Sequence, residues 1–93
     1  MVMRNYQREK TNLYCCLVID NKVIKAEMLD FSLKGACIRL DGAPRTDRYV
    51  SLVYQNEKNQ WIEVISQVVR LAKGRFGYDV GLQFIGIRSR VSR

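Results

Sequence analysis

Leu13-Tyr-Cys-Cys-Leu-Val-Ile19, then Asp20-Asn21, then Val23-Ile-Lys-Ala-Glu-Met-Leu29: this stretch decides the fold class. The first run is apolar and rich in β-prone residues, Asp20-Asn21 is a turn signal, and the second run carries apolar residues at Val23, Ile24, Ala26 and Met28. Two such runs joined by two turn-forming residues predict a β-hairpin. The same reading extends along the chain. Ala36 to Leu40 forms a further strand, and a polar stretch with Gly42, Pro44 and Arg45 breaks the pattern before a fourth strand that starts near Arg48 and takes in Tyr49 to Tyr54. Gln55 to Gln60 reads as a hairpin loop and Trp61 to Leu71 as a long strand able to carry a bulge. Lys73 to Gly77 reads as a glycine-rich turn into Tyr78 to Ile85. The count is six strands, and no segment carries a helical period.

Six short antiparallel strands laid flat would leave long exposed edges, so the expected architecture is all-β, a six-stranded antiparallel β-barrel. Residues 1–12, MVMRNYQREKTN, are polar and charged without strand alternation and are expected to form a flexible N-terminal arm. The barrel is expected over 13–87, and 88–93, Arg88-Ser-Arg-Val-Ser-Arg93, is expected to be a solvated basic tail with little or no C-terminal helix. Nothing repeats and no linker divides the chain.

With 93 residues the chain is one domain with little room for a deep catalytic cleft. Sixteen Lys and Arg against nine Asp and Glu give a net charge of +7, which favours an anionic partner: a nucleotide, a nucleic acid or an acidic protein surface. Enzymatic activity finds no support in the residue set. There is no histidine, no phosphate loop, no paired carboxylates in a recognisable setting and no base beside Cys15 or Cys37 to activate a thiol. The three cysteines, Cys15, Cys16 and Cys37, lack the pairing of a disulfide framework or zinc site. Cys15 and Cys16, adjacent on a strand, face opposite sides and are read as small apolar residues in a reducing compartment. No metal or cofactor is expected. No apolar stretch approaches the ~20 residues of a membrane span, and the N-terminus lacks a signal peptide's apolar centre, so a cytoplasmic location is expected.

Two short patterns remain: Arg4-Asn-Tyr-Gln-Arg8 on the arm and Asp30-Phe-Ser32-Leu-Lys-Gly35 after the hairpin. Each alone has a plain structural reading. Two arginines four apart are a solvated basic segment, and Asp-x-Ser-x-x-Gly is an ordinary turn whose Asp and Ser bond local backbone and whose Gly takes a left-handed conformation. Together, in this order and inside this strand pattern, they resemble the PilZ family of bacterial cyclic di-GMP receptors. That family's signature is Arg-x-x-x-Arg followed by Asp/Asn-x-Ser-x-x-Gly. The ending Gln67-Val-Val-Arg70, a glycine turn and Val80-Gly-Leu-Gln-Phe84 is similar to the family's last two strands, so the resemblance covers residues 4 to about 87. It implies a six-stranded barrel, an arm that folds across the barrel mouth when cyclic di-GMP binds, and ligand contacts from Arg4, Arg8, Asp30, Ser32 and Gly35. It also implies a downstream protein partner to carry the signal. Many relatives carry a C-terminal helix that the six residues after 87 are too few to supply.

The chemistry of those residue types fits independently. An arginine's planar fork matches guanine O6/N7 or a phosphate through two hydrogen bonds, so Arg4 and Arg8 suit one base edge and the phosphates. A carboxylate only accepts, so Asp30 suits the guanine N1 and N2 donors. Ser32 can donate to a phosphate, and Gly35 permits a positive φ and close approach of backbone N–H groups to an anion. Tyr6 is a candidate for contact with a base or the barrel rim, and Trp61 for packing at the core. Met3 offers no charge for a second nucleotide, which favours one per site. Two rivals stand beside this reading: a small basic barrel that binds single-stranded nucleic acid, and a PilZ-like adaptor that has lost the nucleotide. The intact motifs speak against the second.

Overall fold

The computed structural model describes residues 9–10, 14–45 and 49–91, and side chains within 14–45 and 49–87. In chain order the strands are β1 (Glu9–Lys10), β2 (Tyr14–Ile19), β3 (Lys22–Phe31), β4 (Gly35–Leu40), β5 (Tyr49–Gln55), β6 (Trp61–Gly74) and β7 (Gly77–Val91). The hairpin expected at Asp20-Asn21 is present: Ile19 lies opposite Lys22, and both turn residues take positive φ, 52° and 66°. Two consecutive left-handed residues match the twist of the flanking strands, and Asp and Asn tolerate that conformation best after glycine.

Neighbouring strands run antiparallel in the order β3-β2-β5-β6-β7-β4, and β4 pairs back to β3, so the six-stranded barrel is closed as expected. No helix occurs among the described residues. Alternate residues point inward, and Leu17, Met28, Ile38, Leu40, Leu52 and Val80 are wholly buried. Phe31, Tyr54 and Phe84 pack together at one end, with Phe31 centred 5.5 Å from Tyr54, edge to face, and 5.9 Å from Phe84, tilted. On the outer wall, Arg39 Nε donates to Asp79 Oδ1 at 3.1 Å, joining β4 to β7.

Two boundaries differ from expectation. Within the supposed arm, Glu9 and Lys10 pair with Phe31 and Asp30 of β3; the rest of the arm lies outside the described residues. The supposed basic tail continues β7: Ser89, Arg90 and Val91 lie opposite Glu63, Ile62 and Trp61. Arg88-Ser-Arg has weak strand propensity, but the first residues of β6 offer a ready ladder there, and pairing overrides propensity. The anticipated bulge in β6 falls at Val69, between the pairs Val68–Leu82 and Arg70–Gly81. Trp61 remains 42% exposed, and its neighbour Ile62 is the residue that packs inward.

Cys15 is buried and Cys16 half-buried, facing opposite sides as their adjacency predicts. Burial pushes the Cys15 thiol from 9.0 up to about 12, with Cys16 adding to the effect. A thiol whose folded pKa exceeds its unfolded value contributes stability that is complete below the unfolded value and lost as pH rises toward the folded one. The expected outcome is a loss of stability between pH 9 and pH 12 that is shallower in Cys15→Ala than in the parent protein. Denaturant unfolding of both proteins at a series of pH values checks this, and parallel curves would assign the alkaline loss to other groups.

Candidate functional site

The second motif is the turn that joins β3 to β4, the two strands whose pairing closes the barrel. Ser32 is buried and its hydroxyl organises this turn: Oγ accepts from the N–H of Lys34 at 3.2 Å and of Gly35 at 3.3 Å, and donates to the Gly35 carbonyl at 3.3 Å. The Ser32 N–H donates to the same carbonyl at 2.8 Å. Within the described structure the serine shapes the loop rather than projecting from it. Gly35 differs from expectation. Its φ is not positive, and Gly77 is the one described glycine that takes such a value, 128°. Gly35 is needed because β4 passes so close to β7 that a Cβ there would collide with the Leu82 carbonyl oxygen.

Just before the turn, β3 carries a bulge at Leu29, so that Met28 pairs with Ile38 but Asp30 with Cys37. The extra residue shifts the phase of the strand and sets half-buried Asp30 beside Cys37 on the outer wall. From there one row of paired residues crosses five strands: Lys10, Asp30, Cys37, Gly81 and Arg70. Gly81 has no side chain, and Arg70 lies across it, with its Cβ 3.2 Å and its Nε 3.7 Å from where a Gly81 Cβ would stand. The Arg70 guanidinium donates to the Cys37 side chain. Burial raises the Cys37 pKa, the carboxylates of Asp30 and Asp79 add to that, and Arg70 opposes them. A carboxylate and a guanidinium therefore flank one short stretch of wall beside the motif turn.

Arg70 is a candidate that motif reading passed over, and its outward position had a signal in the sequence. Ile62, Val64, Ser66 and Val68 mark the inward phase of β6, and an arginine two residues on would continue that phase. A charge at an inward position implies a bulge that turns it out, and the bulge at Val69 does so.

Among the described residues, two cavities have linings that do not include Asp30, Cys37, Gly81 or Arg70. One, of about 250 Å³, opens beside the motif turn and is lined by Phe31, Ser32, Leu33, Tyr54, Phe84 and Ile87 among others. The other, of about 380 Å³, lies further along the outer face among Tyr14, Lys25, Glu27, Arg39, Asp41 and Phe76. Lys25 Nζ sits 5.1 Å from the Tyr14 ring centre, and the Arg39 guanidinium 5.9 Å from that of Phe76. No group of three or more His, Cys, Asp or Glu that could hold a metal occurs among the described residues.

The family model for the PilZ domain matches residues 3–93. The chain belongs to the PilZ family. No curated protein matches it closely enough to count as a relative. PilZ domains are ligand-binding and adaptor modules rather than a known family of enzymes. The matched span takes in all five residues of the two motifs; Asp30, Ser32 and Gly35 are brought together at the closing hairpin, while Arg4 and Arg8 lie outside the described residues. No helix among the described residues is long and apolar enough to cross a membrane.

The geometry at Gly35 makes a stability prediction. Gly35→Ala must move β4 away from β7, which costs about 2 kcal/mol or more and lowers the melting midpoint of the free protein by roughly 10 °C. Scanning calorimetry without ligand checks this, and an unchanged midpoint would return Gly35 to a purely ligand-facing role.

Proposed function

We propose that this PilZ domain is a receptor for cyclic di-GMP, bound between the arginines of the arm and the outer wall at Asp30 and Arg70. What carries the reading is the register of β1. Glu9 lies opposite Phe31 and Lys10 opposite Asp30, so the chain arrives at the Asp30–Gly35 edge one residue after Arg8. A single peptide unit spans ~3.8 Å, so in the proposed bound state Arg8 comes within side-chain reach of that edge. Arg4 and Arg8 supply forks for phosphate and the O6/N7 edge, and Asp30 accepts from N1 and N2. The Arg70 guanidinium, flat and weakly hydrated, stacks on a base or takes a phosphate. Ser32 holds the turn in shape, and Gly35 lets the barrel close beneath it. The net charge of +7 supports the same class of ligand by steering an anion inward. Closing the arm over the nucleotide changes the protein's outline, and a cytoplasmic partner protein reads that change.

Calorimetric titration tests the reading directly. Saturable binding of cyclic di-GMP is expected, with strong preference over cyclic di-AMP, which lacks the O6 acceptor and N2 donors; equal affinity would remove the base-edge assignment. Arg4→Ala or Arg8→Ala loses about two charge-assisted hydrogen bonds of ~1.5–3 kcal/mol each and weakens binding roughly a hundredfold or more. Arg70→Ala costs about tenfold by the loss of one such contact. Asp30→Asn keeps one acceptor and retains more affinity than Asp30→Ala. Lys10→Ala changes little, and equal small losses for all these variants would reduce the site to diffuse positive charge.

Trypsin reads the closure separately. Saturating nucleotide is expected to slow cleavage after Arg4 and Arg8, because a bound arm is withdrawn from the protease, and to leave the pattern after Arg45 unchanged. Identical digestion with and without nucleotide would leave binding intact as a reading and remove arm closure as the signal.

A further inference from the structure

Past Gln83 the last strand loses one of its two neighbours. β4 pairs with β7 from Leu40–Tyr78 up to Gly35–Gln83, and the Phe84 N–H still donates to the Lys34 carbonyl at 2.7 Å. From Ile85 to Val91, β7 is paired with β6 alone, and among the described residues no strand lies along its other side. An edge with no neighbouring strand among the described residues is accompanied here by exposed apolar surface. Ile85 is 55% exposed, Ile87 59% and Leu33, across the gap, 79%; a Cβ built on Gly86 would meet nothing within 4 Å. The 250 Å³ cavity lies in the same gap, with Phe31, Tyr54 and Phe84 at its floor and Leu33, Ile85 and Ile87 at its rim. An open ladder next to an apolar pocket is the arrangement by which a sheet edge takes up an extended peptide: main-chain bonds hold it and pockets select alternate side chains.

Charge decides among the possible occupants. The open stretch contains Arg88 and Arg90 and no acid. Residues 1–8 contain Arg4 and Arg8 and no acid, so the chain's own arm would bring like charge to the edge. Two copies pairing antiparallel about Ser89 would set Arg88 of each against Arg90 of the other, a like-charge opposition that destabilises a ladder. Bulges at Ile85 and Arg88, between the pairs Ser66–Phe84 and Ile65–Gly86 and again between Val64–Ile87 and Glu63–Ser89, also interrupt the regular edge that self-association needs. A segment of another protein, alternating apolar and acidic residues, suits the strand edge, the apolar pocket and the positive charge of the stretch together.

We infer that Ile85–Val91 and the adjoining cavity form a docking site for an extended, acidic and apolar segment of a partner protein, added as a strand beside β7. The inference does not rest on nucleotide binding, and its test is run without nucleotide.

The probe is an acetylated and amidated octapeptide alternating isoleucine with glutamate, titrated into the full chain labelled with ¹⁵N. Saturable shifts are expected at residues 31–34 and 84–91, together with slowed exchange of amides in 85–91 that were fast in the free protein. The Ile85→Lys/Ile87→Lys double variant, altered at two exposed positions, is expected to keep its spectrum elsewhere and to bind at least tenfold more weakly. An absence of shifts, shifts centred elsewhere, equal binding of an isoleucine–lysine peptide, or undiminished binding by the double variant would each overturn the proposal. Sedimentation showing a dimer joined through this edge would overturn it in favour of a second copy. Slow exchange of the same amides in a free monomer would overturn it in favour of cover by the chain itself.

Discussion

Everything in this molecule depends on the pairing of β3 with β4. The other five strand contacts make a curved six-stranded ribbon, and this one turns the ribbon into a barrel, removing the two edges that an open sheet of this size would expose. The closing pair is also local in sequence, joined by the three residues Ser32, Leu33 and Lys34. Its turn must therefore be well determined. The buried Ser32 hydroxyl with its three backbone bonds and the absence of a side chain at Gly35 are the means. Two of the three signature residues of the second motif thus serve the closure of the fold, and Asp30 is the one left on the outer wall.

That division explains how much of the site could be read from the sequence. Asp-x-Ser-x-x-Gly has both a turn reading and a ligand reading, and the structure shows the turn reading at work in Ser32 and Gly35 while Asp30 stands apart in the row toward Arg70. The spacing of the motif gave no sign of this split. The positive φ expected at Gly35 was the natural inference from a glycine in a turn, but the constraint there is a neighbouring strand some fifty residues on. Close approaches between distant segments leave no local pattern.

The fold was more legible. The Asp20-Asn21 turn, the apolar β-prone runs that became β2, β5 and β6, and the bulge in β6 all follow from residues within a few positions of one another. The reading broke down where pairing overrode composition. Arg88-Ser-Arg90 looks like a solvated tail because nothing nearby shows that β6 begins 27 residues earlier with Trp61-Ile-Glu in want of a partner. Glu9-Lys10 looks like part of a loose arm because its partner, Asp30-Phe31, lies at the far end of the first hairpin, some twenty residues on. In both places a short charged stretch is strand because a neighbour makes it so.

Parity has one more consequence. Six antiparallel strands are an even number, so a chain that enters the barrel at one rim must leave it at the same rim. β2 starts and β7 finishes at the end that carries Phe31, Tyr54 and the motif turn, while the Asp20-Asn21 and Gly74–Gly77 turns mark the far end. Any domain covalently joined at either side, or a fluorescent protein fused at each, is thereby held at the rim where the motif lies. Both tethers therefore start from one rim of the barrel, and the opposite rim is left to the turns.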